Sequence, residues 1–185
     1  MSLHVVVGPM FAGKTSEALR VIRMNRSVNR RVLVVTHKTD VRYSDGCVSS
    51  HDMSTCPAIF VTDLMALISS AAFTQAFTHA DVIIIEEAQF FSDLLEFAKI
   101  SVDKHGKEVH VFGLDGDYQR QPMGDILKLC PLADSFRKIN ALCLLCQTGS
   151  MAPFTVNSTP MPQSGILVGG AEVYTAVCRK HFLSN

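Results

Sequence analysis

Gly8-Pro9-Met10-Phe11-Ala12-Gly13-Lys14-Thr15 fits the pattern G-x-x-x-x-G-K-[ST], whose backbone N–H groups crowd around phosphate oxygens. Its glycines admit the close approach, Lys14 carries charge toward the β and γ phosphates, and Thr15 offers a hydroxyl to Mg²⁺. The chain is therefore expected to bind a nucleoside triphosphate. A second candidate is the pair Glu86-Glu87, which ends the apolar run Val82-Ile83-Ile84-Ile85. Successive side chains at a strand end diverge, so Glu86 can approach the metal through water while Glu87 faces an acceptor. There a carboxylate takes a proton from an attacking hydroxyl, as in a kinase, or from water, as in a hydrolase. The third candidate is Cys143-x-x-Cys146 with Cys178-x-x-His181, two knuckle-type pairs on either side of residues 147–177. Four such ligands make a structural, four-coordinate Zn²⁺ site with no open position for catalysis. An ion there staples the base of a long loop and lowers the entropy cost of holding it over a ligand. Cys47, Cys56 and Cys130 have no paired spacing and read as small side chains.

The elements that must position these groups are legible in part. Leu3 to Val7 is a buried strand, and from Ser16 onward Ala18, Leu19 and Ile22 recur at helical spacing, so the phosphate loop has its strand and its helix. Arg31 to His37 reads as a second strand, followed by a long polar segment from Lys38 to about Pro57. Thr62 is expected to cap a helix carrying Leu64, Leu67 and Ile68, and Asp81 to Ile85 is a buried parallel strand. Ser92 to His105 reads as a helix stopped by Gly106, and Glu108 to Leu114 as a further strand. This alternation predicts an α/β fold: a P-loop NTPase-type parallel sheet flanked by helices, with ligands beyond the carboxyl ends of its strands. From Asn140 the composition shifts to Cys, Gly, Pro, Ser and Thr. The expected organisation is a nucleotide-binding domain over 1–139 and a small zinc-binding module over 140–185, in which Thr148 to Ser164 reads as flexible.

Lys and Arg number 17 and Asp and Glu 17, so the chain has no net field to attract nucleic acid or an anionic membrane. The cluster Arg20, Arg23, Arg26, Arg30 and Arg31 reads as a solvated helix face and the turn after it. No apolar run exceeds strand length, and the composition reads as that of a cytoplasmic protein in which clustered cysteines bind metal.

GPMFAGKT, DVRY, IIIEEAQFF, GLDGDYQRQPMG, CLLC and GILVGGAEVYTAVCRKH, in this order and over almost the whole chain, resemble the small zinc-containing type II thymidine kinases. The resemblance implies transfer of the γ-phosphoryl group of ATP to the 5′-hydroxyl of thymidine, by a homotetramer that its product triphosphate inhibits. Carried over by residue, Glu87 matches the general base, and Glu86, with Gln89 beside it on the nucleotide side, matches the Mg²⁺-associated acid. Asp40 and Arg42 match a phosphate-side pair, Arg42 suiting charge on the transferring group. Phe90 and Tyr118 match the aromatics around the thymine ring, with Met10 and Leu114 in the same pocket. Gly165, Ile166, Leu167, Val168 and Gly169 match the stretch whose backbone bonds the base edge, and Tyr174 matches a tyrosine near the sugar and phosphate. The loop between the cysteine pairs would be the family's lasso, a lid that excludes water.

The chain departs from the family pattern at four places. Glu86 stands for the more usual Asp, Tyr118 for Phe, and His181 for the fourth Cys, while Asn157 follows Thr155 where the family has an anchoring Arg. Two other readings are an NTP hydrolase of the GTPase or helicase kind and an inactive thymidine kinase-like domain serving as a subunit or half of a tandem protein. A GTPase needs Asn-Lys-x-Asp late in the sheet, whereas His37-Lys38-Thr39-Asp40 follows the second strand; a helicase needs a basic channel. Lys14, Thr15, Arg42 and Glu87 are all present, as phosphoryl transfer requires.

Overall fold

Val82-Ile83-Ile84-Ile85 is apolar at every position because both its faces are covered, as happens only in the interior of a parallel sheet. A computed structural model of the chain describes residues 1–39, 47–49, 55–146, 148–157 and 173–184, with the backbone alone at 47–49 and 55. In chain order the elements are β1 (Ser2–Val7), α1 (Lys14–Ser27), β2 (Val32–His37), β3 (Cys47–Ser49), β4 (Thr55–Pro57), β5 (Ile59–Val61), α2 (Ala66–Ser69), α3 (Thr74–His79) and β6 (Val82–Ile85). There follow α4 (Leu94–Lys99), β7 (Glu108–Gly113), β8 (Ser135–Lys138), β9 (Ala141–Leu142), β10 (Met151–Ala152), β11 (Phe154–Asn157), β12 (Tyr174–Val177) and α5 (Arg179–Leu183). Six strands form one sheet in the order β5-β2-β6-β7-β1-β8, and every pairing in it is parallel.

Strand alternation sorts the core into two layers. Val5, Val7, Leu33, Val35, Ile83, Ile85, Val109 and Val111 face Leu64, Leu67, Phe77, Phe97 and Ile126. Val6, Val34, Val82, Ile84 and Phe112 face Ala18, Leu19, Val21 and Ile22 of α1. Cys56 is buried in this second layer. The expected parallel sheet flanked by helices is the fold observed.

α1 begins at Lys14 because Gly13 takes φ 83°, a left-handed backbone that favours glycine. It ends where Asn29, at φ 59°, lets the Asn29 and Arg30 N–H groups return to the Arg26 and Asn25 carbonyls. Its outer face is paired: Arg20 bonds Glu17, while beyond the helix Arg30 meets Glu108 and Arg31 meets Asp81. Three of the five arginines read as a solvated face, Arg20, Arg30 and Arg31, are thus in ion pairs. No helix among the described residues is long and apolar enough to cross a membrane.

Several elements differ from expectation. Thr62 caps nothing, its hydroxyl bonding Asp63 instead; helix α2 starts at Ala66, and a separate α3 follows. The polar segment carries a short antiparallel β3–β4 pair, and the edge strands β5 and β8 were not anticipated. The expected helix at Ser92 starts at Leu94 and runs on as a wider π turn over Ile100–Lys104 before Gly106. Thr148 to Asn157 is ordered into β10 and β11, which corrects the reading of that part as flexible. β11 pairs antiparallel with β12, Phe154 opposite Val177 and Asn157 opposite Tyr174, because alternate residues there fill a small core of Ala141, Cys143, Ala152, Val156, Ala176 and Val177. The rest of that expected loop lies outside the described residues.

Candidate active site and metal centre

Because β1, β2, β6 and β7 run parallel, their carboxyl ends deliver the phosphate loop, Lys38, Glu86-Glu87 and Leu114 to one edge of the sheet. In the loop itself, Gly8 lies against the next segment so closely that a Cβ would stand 2.3 Å from the Ile139 carbonyl oxygen. Phe11 takes φ 64° and Gly13 φ 83°, left-handed turns that wrap the loop around its own centre. Lys14 Nζ donates to the Gly8 and Pro9 carbonyls at 3.1 and 2.7 Å, so the ammonium sits over the loop. Thr15 donates its hydroxyl to Glu86 Oε2 at 3.4 Å. That contact joins the segments after β1 and β6 past the carboxyl end of β7, which lies between them in the sheet.

Glu86, 4 % exposed, stays in register with the sheet through its N–H bond to the Val35 carbonyl. Glu87 then turns to φ 52°, unusual for a residue with a Cβ, and a 3₁₀ turn over Ala88–Phe90 follows. The two carboxylates have different partners, Glu86 accepting from Thr15 and Glu87 from Gln89. Gln89 donates to Glu87 Oε2 at 2.6 Å and accepts from the Leu114 N–H at 3.0 Å. Phe90 is half-buried, with the His37 ring 5.8 Å from its own, and His37 also meets Phe91 edge-on at 4.9 Å. Burial and the nearby Tyr118 push the Tyr174 hydroxyl up, which brings two of the expected substrate residues within electrostatic reach of each other. Asp40, Arg42 and Gly165, Ile166, Leu167, Val168 and Gly169 lie outside the described residues.

The four expected metal ligands converge. His181 Nδ1 lies 3.5, 3.4 and 3.5 Å from the sulfurs of Cys143, Cys146 and Cys178, and the Cys146 and Cys178 sulfurs are 3.6 Å apart. A tetrahedral ion with bonds of ~2.3 Å to sulfur and ~2.0 Å to nitrogen separates its ligand atoms by ~3.5–3.8 Å, so this donor set fits zinc. Burial raises the Cys143 thiol, but the Cys178 and Cys146 N–H donors and the His181 ring outweigh it and bring the thiol down to about 6. A cysteine so poised gives up its proton to a metal readily. Among the described residues Cys56, Cys130, Cys143, Cys146 and Cys178 are free thiols, and Cys130 is exposed.

Three residues of the site went unread in the sequence. Thr155, 6 % exposed, accepts the Met10 N–H at 3.1 Å, so the strand beside the metal holds the phosphate loop; nothing in a separation of 145 residues signals it. Phe11 and Ala12, already read as part of the phosphate loop, pack on the same small core as Cys143. Arg120 lays its guanidinium over Phe182 and Phe154 at 4.4 and 5.6 Å and ties the loop bearing Tyr118 to the metal module. Its aromatic partners, 34 and 62 residues on, were the only available hint. His37 was visible merely as the end of a strand.

The thymidine kinase family profile matches residues 1–182. A thymidine kinase of Oryza sativa subsp. japonica is 42% identical over 182 residues, covering 98% of this chain and 66% of the rice protein. Thymidine kinase a of Arabidopsis thaliana is 41% identical over 184 residues, covering 100% of this chain and 76% of that protein. A thymidine kinase of Rabbit fibroma virus (strain Kasza) is 35% identical over 179 residues, 96% of this chain and 94% of the viral protein. By this profile and these relatives, the chain belongs to the thymidine kinase family.

Proposed function

We propose that this chain transfers the γ-phosphoryl group of ATP to the 5′-hydroxyl of thymidine, and of deoxyuridine beside it, with Glu87 as general base. The observation that carries the reading is the meeting of Lys14, Thr15, Glu86 and Glu87 at one sheet edge in a member of the thymidine kinase family. In the reaction the 5′-oxygen bonds to γ-phosphorus as the bond to the β,γ-bridging oxygen breaks, the electron pair leaving with ADP. The hydroxyl proton passes to the Glu87 carboxylate. The backbone of Gly8, Pro9, Met10, Phe11, Ala12 and Gly13 cradles the phosphates, with Lys14, Asp40, Arg42 and Gln89 on the nucleotide side. Thr15 and Glu86 would hold Mg²⁺, which supplies charge neutralisation at the phosphates.

Met10, Phe90, Leu114 and Tyr118 enclose the base, the backbone of Gly165, Ile166, Leu167, Val168 and Gly169 reads its edge, and Tyr174 attends the sugar. Supporting this, Phe90 follows Glu87 on the same turn, and Tyr118, after burial, helps push the Tyr174 hydroxyl up. Cys143, Cys146, Cys178 and His181 hold a structural zinc. The enzyme works in the cytoplasm as a homotetramer or with a tandem partner, and takes no nucleic acid or membrane as partner.

A nucleoside panel with ATP and Mg²⁺ tests the reading. Thymidine and deoxyuridine monophosphates are the expected products. Purine nucleosides turning over faster than thymidine, or ATP hydrolysis indifferent to added thymidine, would contradict it.

A further inference from the structure

Gln89 is more completely enclosed than a side chain waiting for a nucleotide needs to be. It is 5 % exposed, one residue into the 3₁₀ turn that follows Glu87. Its two polar ends are both engaged, Oε1 by the Leu114 N–H at 3.0 Å and Nε2 by Glu87 Oε2 at 2.6 Å. The orientation of the amide follows from this pair. A backbone N–H only donates, so the atom facing Leu114 must be the oxygen, and the NH₂ must face the carboxylate. A flipped amide would oppose two donors at one end and two acceptors at the other.

The surroundings are cut to this side chain. A Cβ on Gly113 would stand 2.5 Å from Gln89 Oε1, and one on Gly124 would stand 2.1 Å from the Gln89 carbonyl oxygen, at a left-handed φ of 59°. Bare backbone at two separate places thus closes around one residue. Gln89 joins Glu87 to the end of β7, the strand between those that carry the acids and the phosphate loop.

We infer that Gln89 is a positioning residue for the general base: its amide fixes one oxygen of Glu87, and so the direction in which the carboxylate receives the proton of the acceptor hydroxyl. This rests on the reading of Glu87 as the base, and it moves Gln89 from the nucleotide side to the acceptor side of the reaction. Because the amide donates to the ionised carboxylate, it also favours the form that can accept a proton.

Gln89→Glu keeps the length and the acceptor for Leu114 but replaces the donor by a second carboxylate, and Gln89→Met keeps bulk alone. Each is compared with Glu87→Gln and with the double variants for kcat, for the KM of ATP and thymidine, and for pH profile, after matching to the parent by thermal unfolding. A hydrogen bond to a charged group is worth roughly 10- to 100-fold, so kcat should fall by about that factor with KM for ATP little changed. In Gln89→Glu the two acids share a proton at low pH, which restores a donor, so its activity should decline as pH rises. In Gln89→Met the acidic limb of kcat/KM should move to higher pH. On a Glu87→Gln background neither substitution should cost anything further.

A rise in KM for ATP at unchanged kcat, or losses that multiply with Glu87→Gln, would overturn the inference and return Gln89 to the nucleotide. Glu87→Gln retaining the parental kcat would instead remove the base itself, a result recognisable without any Gln89 variant. Should Gln89→Glu unfold, Gln89→Met carries the same kcat and additivity tests.

Discussion

Thr155 shows how much one hydroxyl carries at a distance. It accepts the Met10 N–H at 3.1 Å in a buried setting, so Thr155→Val leaves a phosphate-loop donor without an acceptor. An orphaned buried donor costs about 1–3 kcal/mol. KM for ATP and Tm should therefore both worsen in Thr155→Val and stay near parental in Thr155→Ser, which steady-state kinetics and a thermal melt will check. At this scale the sequence revealed residues whose chemistry is local: Lys14 and Thr15 in their motif, Glu87 at its strand end, the cysteines by spacing. Thr155, Arg120 and His37 stayed hidden because their roles are made by partners far along the chain, and a threonine or an arginine alone carries no spacing to read.

Among the elements, α1 is held to the sheet edge by charge as well as by its apolar face. Glu17 in its first turn is bonded to Arg20 at 2.7 Å and to Arg137 of β8 at 2.7 Å. The Arg20 bond, against the opposing pull of burial and with Arg137 assisting, lowers its carboxyl from the ordinary 4.5 to about 2. A depressed carboxyl contributes stability that is present above 4.5 and is lost as pH falls toward 2. Glu17→Gln should accordingly flatten the fall of Tm across that window, and a pH series of thermal melts on both proteins measures it. The interior strands were legible because parallel strands covered on both faces are continuously apolar, as Val82-Ile83-Ile84-Ile85 is. The edge strand β8 escaped because an edge needs no such run, Ser135-Phe136-Arg137-Lys138 having one large apolar residue, whereas β5 is apolar throughout but only Ile59–Val61 long. Thr62 misled because a threonine before an apolar series resembles a cap, yet Asp63 beside it takes the hydroxyl.

For the molecule as a whole, the metal module and the phosphate loop share one small core. Phe11 and Ala12 pack against the cluster that contains Cys143, Val156 and Val177, and Arg120 stacks on Phe154 and Phe182. Stripping zinc from the Cys₃His site should thus do more than loosen its own segment. Chelation should lower affinity for ATP and thymidine together, and readdition of zinc should restore both, as titration calorimetry before and after chelation will show. The coupling could not be read in advance, since it depends on β11 and β12 pairing within a stretch whose composition reads as a loop. The three-layer sheet, by contrast, follows from the alternation of apolar runs and amphipathic segments that positions the site.

The proposed chemistry turns on the Glu87 carboxylate, set at φ 52° after β6 and bonded to Gln89. Replacing it by Gln preserves the shape and removes the basic oxygen, and general-base catalysis is worth roughly 10²- to 10⁴-fold. Thymidine phosphorylation by Glu87→Gln with ATP and Mg²⁺ should lose kcat by about that factor while ATP binding persists; an unchanged kcat would contradict the account.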